Sequence, residues 1–194
     1  MALPVTFVAG DVLEAAELNS NFTYLDGKNA GLVCVKAETA FSTASSVTAD
    51  NVFTSAYTNY LLNLTVTSSS AELVLLYKNR VGGVSASTDY NAQRVTFTAT
   101  ATDAARITAQ TSFRLGQART VSSFFALNIG SPQLAAQTNF FSNGIYNDNA
   151  ATVPIAIFNT GNHSTATAYD GFEILTNTGT ITGFYSVYAY SKTV

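Results

Sequence analysis

The chain has 194 residues, 47% of them hydrophobic and only 11% charged, with 9 basic against 12 acidic side chains and a net charge of −3. That length suits one domain with an attachment. Without a basic excess there is no positive field for phosphates, so nucleic acid is disfavoured as a main partner. No apolar run approaches the ~18 to 20 residues that cross a bilayer, which excludes a membrane span. Thr, Ser and Asn make up about 60 of the positions, so the expected surface is neutral and rich in hydroxyls and amides.

The first twenty residues hold no Lys or Arg but carry Asp11, Glu14 and Glu17. A secretory signal needs a basic start and an apolar core, so the expectation is synthesis and folding in a reducing cytoplasm. The single cysteine, Cys34, has no partner for an intramolecular disulfide. Its neighbours Leu32, Val33 and Val35 predict a small buried apolar role for it.

Residues 6–27 read as helix. Asp11 with Glu14 three places on forms a capping box, residues 12–18 favour helix, and Gly27 stands where a helix ends. About four turns are expected. Ala15, Leu18, Phe22 and Leu25 are spaced 3, 4 and 3 apart, an a/d seam under two heptads long. An isolated helix of ~15 residues is marginal in water. The seam must therefore be buried, against its own domain or against a neighbouring subunit or larger assembly. Three copies of so short a seam bury it where one cannot, which predicts a homotrimer.

A turn-rich hinge at residues 26–31 closes the helical part, giving two units: residues 1–30 as a helical anchoring segment and residues 31–194 as a β domain. Residues 60–67, 94–100, 121–129 and 153–157 alternate apolar and polar side chains, the period of a half-buried strand. Residues 72–77 form a continuous apolar run suited to a central strand. Residues 172–175 and 181–190 flank Thr176-Asn177-Thr178-Gly179, a turn of hairpin type. Eight to ten strands without an intervening amphipathic helix predict a mainly β fold, an antiparallel β-sandwich of jelly-roll kind preceded by one short N-terminal α-helix.

Groups that exchange protons near neutrality are scarce. A Ser-His-Asp triad would have to use His163, and a Cys-His pair would need Cys34 with it. No nucleophile elbow, zinc motif or phosphate-binding glycine loop supports either. Asp148, Asp170 and Glu173 are the acids available to a glycosidase, a pairing that twelve acids supply by chance. Residues 143–149 are oxygen-rich but hold one carboxylate, and read as a turn rather than a calcium loop. The residues thus predict no enzyme, cofactor or metal. Arg94, Arg106, Arg114 and Arg119 fall at strand positions, where a solvated face or an intersubunit ion pair is expected. Tyr146, Tyr169, Tyr185, Tyr188 and Tyr190 gather toward the C-terminus and suit the core and subunit seams better than a sugar platform. For a ligand-facing surface the candidates are Tyr146, Asn147, Asp148, Asn162 and His163, read as loop residues, with hairpin closure as the competing role.

Two segments resemble a known group. Residues 6–22, with Phe7, Gly10, Leu13, Ala15, Leu18, Asn19 and Phe22, resemble the opening of many tailed-bacteriophage fibre and minor virion proteins. Residues 31–36, 57–60, 161–163 and 179–190 resemble C-terminal domains of small phage virion proteins, except that Phe184 and Ala189 stand where glycine is usual. The likeness covers both ends and is poor over residues 78–158. It implies a non-enzymatic structural protein of the virion, commonly a homotrimer, with the N-terminal helix docked on other virion proteins of tail or capsid and the β domain displayed. Phe7, Leu13, Ala15, Leu18, Phe22 and Leu25 would then form the anchor and seam. A tail or head fibre would contact host surface polysaccharide; the alternative is a capsid decoration protein that stiffens the head.

Overall fold

Alternating side-chain burial along each strand generates two antiparallel sheets packed face to face. The computed structural model describes residues 5–6, 14–70, 72–148 and 152–191, except 28–30 and the side chains of 23–27. Helix α1 spans Ala15–Gly27. The strands follow in order: β1 Leu32–Ala44, β2 Ser46–Ala49, β3 Asn59–Ser68, β4 Leu73–Val81, β5 Val84–Ser85, β6 Tyr90–Phe97, β7 Thr102–Gln110, β8 Phe113–Ala118, β9 Ser123–Gly130, β10 Thr138–Asn147, β11 Pro154–His163, β12 Gly171–Thr176 and β13 Ile181–Tyr190. The large sheet runs β1-β13-β3-β9-β10-β11-β6-β7, and the small one runs β2-β12-β4-β5 with β8 also paired to β4. This is the sandwich that the alternation predicts, with more strands than eight to ten because short or exposed strands carry little apolar pattern.

The core lies between the sheets. Tyr60, Leu62, Leu64 and Val66 of β3 and Phe125, Leu127 and Ile129 of β9 face Leu73, Leu75 and Tyr77 of β4 and Phe172 and Ile174 of β12. Each such side chain contributes roughly 1.5–3 kcal/mol on burial. The tyrosine hydroxyls within the core find partners. Asn79 N–H donates to the Tyr90 hydroxyl at 2.7 Å, and the Tyr77 hydroxyl donates to Asn79 Oδ1 at 2.9 Å. Thr54 N–H donates to the Tyr60 hydroxyl, which donates back to the Thr54 carbonyl, pinning the 50–58 loop against β3.

Two expectations are overturned. Residues 172–175 and 181–190 do not form a hairpin: β12 pairs with β2 and β4, whereas β13 pairs with β1 and β3. The turn at Gly179, with φ +66°, carries the chain from one sheet to the other, and alternation cannot tell such a crossing from a hairpin. Cys34 is exposed rather than buried, because β1 is an edge strand of the large sheet with register shifts at Cys34/Lys36 and beyond. At its far end the β1/β13 pair is closed by Ser191 N–H donating to the Gly31 carbonyl at 2.9 Å.

Candidate functional site

The helix comes first in the chain. The Glu14 carbonyl accepts from Glu17 and Leu18 N–H at 3.1 Å at the start of α1, while Asp11 of the expected capping box lies outside the described residues. Asn21 is buried, its side chain bonding both N–H and C=O of Val5 at 3.0 Å. Of the proposed seam, Ala15 is exposed, Leu18 is half-buried and Phe22 is 58% exposed. Phe7, Leu13 and the side chain of Leu25 lie outside the described residues. Among the described side chains none of α1 belongs to the hydrophobic core, which begins at Ala49 with Val35 and Phe41 packed against it.

The five loop candidates are not brought together, and four of them are strand residues. All but Asp148 lie in β10 or β11, which pair with each other from Thr138↔His163 to Asn147↔Pro154. Tyr146, Asn147 and Asp148 thus sit at one end of the pair, and Asn162 and His163 at the other, some 25 Å away at about 3.3 Å per residue. Tyr146 is buried, its ring under the Arg119 guanidinium at 5.5 Å. His163 is 1% exposed, with Nδ1 3.1 Å from the Tyr169 hydroxyl and its ring packed edge-on against Tyr90. Burial holds its pKa below the usual histidine value. Both side chains are buried rather than presented at the surface. Asp148 does the work of a turn residue, its carboxylate accepting from Thr152 and Val153 N–H at 3.1 and 3.3 Å. Asp170 and Glu173 likewise accept from Gly82 N–H and the Ser85 hydroxyl.

Asn162 alone leads to a surface with ligand-binding chemistry. Strand register places Asn91, Asn162 and Asn139 side by side across β6, β11 and β10, and in the next row Arg106, Gln93, Thr160 and Phe141. Together they line adjoining recesses of about 450 and 400 Å³ on the outer face of the large sheet, both bounded by Gln93, Arg106 and Thr160. Asn91 Nδ2 donates to Asn162 Oδ1 at 3.1 Å, and Asn91 Oδ1 accepts from Ala109 N–H, holding the irregular β7 against β6. Amides beside the half-exposed Phe141 ring can bond sugar hydroxyls and stack on a sugar face.

Farther along the same face the character changes. One row reads Phe184, Thr65, Phe124, Ile145, Ala156 and Phe97 across six strands, and the next reads Ser186, Asn63, Ala126, Asn143, Phe158 and Val95. Phe97, Phe124, Ile145, Phe158 and Phe184 are each at least 40% exposed. Neither row holds a charged residue. Periodicity marks these positions as the solvent side of half-buried strands, so their aromatic character was the available signal and went unused.

Among the described residues no group of three or more metal-ligating side chains comes together, and no helix is long and apolar enough to cross a membrane. Comparison with protein-family models, with characterised proteins and with solved structures finds no match for this chain.

Proposed function

We propose that this chain is a non-enzymatic, fibre-type structural component of a bacteriophage virion, a homotrimer anchored by its N-terminal helix to other virion proteins of tail or capsid. The observation that carries the reading is Phe22, which stands 58% exposed on a helix whose described side chains lie outside the β core. An apolar stripe left uncovered by its own domain is stabilised by a partner. The amide-lined recesses around Asn162 give the displayed domain a surface suited to host polysaccharide.

The apolar rows of the large sheet favour the same trimer. Six strands at about 4.8 Å and two rows about 7 Å apart give a patch of roughly 400 Å² in projection, about half of the ~800 Å² that each partner of a stable interface buries. Because the rows are uncharged, identical copies can meet there without like-charge repulsion, so a second copy is the occupant. Light scattering of the purified chain at micromolar concentration is expected to give three times the chain mass. Phe22→Asp is expected to abolish incorporation into particles, measured by mass spectrometry of purified virions. A dimer, or virions that still carry the Phe22→Asp chain, would sink the reading. A monomer whose loss makes heads fragile in heat or low salt would favour capsid decoration, with coat protein covering the apolar rows.

A further inference from the structure

Two arginines meet in a recess where the β6–β7 end of the large sheet approaches β4 and β8 of the small one. The cavity measures about 320 Å³ and is lined by Arg94, Arg114, Gln110, Ser112, Asn159 and Tyr90, with apolar walls from β4 and β7. No carboxylate lines it. Among the described residues neither Arg94 nor Arg114 lies within ion-pair distance of Asp or Glu. Glu72, which acts on Arg114 through space, is already paired with Arg119 at 2.9 Å. Arg114 Nε is buried and donates no hydrogen bond. Burial first, and then the Arg94 charge, lower the Arg114 pKa from its usual value, while a guanidinium stays protonated at neutral pH.

Two guanidinium groups line one cavity, one with a buried donor unused, and an anion placed there would be attracted by both. We propose that this recess binds a sugar-sized carboxylate, a uronic acid or its close chemical kin, with Arg94 and Arg114 clamping the carboxylate. A planar guanidinium fork matches the two oxygens of a carboxylate. Gln110, Ser112 and Asn159 offer partners for ring hydroxyls, and Tyr90 with the apolar walls offers a surface for a sugar face. The volume sits at the low end of the ~300–1,000 Å³ typical of small-molecule pockets, room for one sugar ring rather than a chain. This inference does not use the helix on which the virion reading rests, although Arg94 and Asn159 also border the 400 Å³ recess of the outer face.

Isothermal titration of the full chain tests it with sodium glucuronate, glucose, sodium sulfate and a glucuronate-terminated oligosaccharide. Glucuronate is expected to bind at least about tenfold more tightly than glucose or sulfate, and Arg114→Met and Arg94→Gln each to weaken it about tenfold or more, the usual range for losing a charge-assisted hydrogen bond. Without ligand, Arg114→Met is expected to melt at or above the wild-type temperature, because the removed donor had no partner. Should that variant not fold, Arg94→Gln decides alone. Binding of the oligosaccharide as well as the free acid identifies a polysaccharide end as the source; binding of the free acid alone identifies a soluble metabolite. Both support the site. Equal binding of glucose or sulfate, no binding of glucuronate at millimolar concentration, or unchanged affinity in both variants overturns it.

Discussion

Phe125 is held between two glycines, which makes its position a sensitive gauge of the distance between the sheets. A Cβ added at Gly144, the neighbour of Phe125 across the β9/β10 pair, would lie 2.2 Å from Phe125 Cδ1 and 2.7 Å from Cε1. A Cβ at Gly116 of β8 would lie 2.4 Å from Cε1 of the same ring. Carbon atoms pack at about 3.5–4.0 Å, so Gly144→Ala forces a displacement of more than about 1 Å on a ring that is 1% exposed and also in contact range of Gly116. Overpacking of this kind costs about 1–3 kcal/mol. At about 2–4 °C per kcal/mol for a chain of this size, the melting temperature in circular dichroism should fall by about 2–12 °C. Phe125→Leu is destabilising by itself but clears the space a new methyl needs. The double variant should therefore be more stable than the sum of the singles predicts, by about 1 kcal/mol or more, where independent sites add within ~0.5. A Gly144→Ala protein as stable as wild type, or strict additivity in the double variant, would refute the wedge.

Tyr90→Phe leaves the buried Asn79 N–H without its acceptor and should cost about 1–3 kcal/mol. Tyr190→Phe, whose hydroxyl donates to Asn128 at the surface, should stay within about 0.5 kcal/mol by urea unfolding. His163 is neutral in the fold and its pKa lies below the unfolded value near 6.5. Its contribution is complete above that value and is lost as pH falls from there through the folded pKa, because the unfolded chain takes up the proton first. Urea midpoints should therefore drop below pH 6.5 in wild type and drop less in His163→Gln; parallel curves would contradict the buried neutral ring. Cys34 should react stoichiometrically with a thiol reagent in the native state, and Cys34→Ser should change stability by less than about 0.5 kcal/mol, as suits an exposed site.

Strands with one wet and one dry face were readable from the sequence, and the others were not. Tyr60 to Val66 and Phe125 to Ile129 alternate because one side of each meets the core. β7 is an edge strand exposed along most of its length, and β1 is interrupted by register shifts, so neither keeps a period of two. Cys34 was misjudged on the strength of its apolar neighbours, which lie on that irregular edge. For the candidate site, Asn162 was legible as a polar residue near a turn-like glycine. Its companions Asn91, Gln93, Arg106 and Asn139 come from three other strands, and only the pairing register unites them. The pairing of Arg94 with Arg114 was invisible for the same reason: twenty residues apart, they meet because the two sheets converge.

The place of β13 in the large sheet bears on how the chain is made. This last strand lies between β1 and β3, pairing Leu32 with Tyr190 on one side and Tyr60 with Ala189 on the other. On a ribosome adding ~5–20 residues per second, β1 and β3 wait on the order of 10 s for the strand that joins them. During that interval two long edges and the apolar face of β3 stand unpaired, while α1 has already emerged. Cooperative closure of this part of the sheet therefore waits until β13 has been made, after every strand it joins. Non-local pairing of this kind folds slowly, and removing β13 would take an interior strand out of the large sheet.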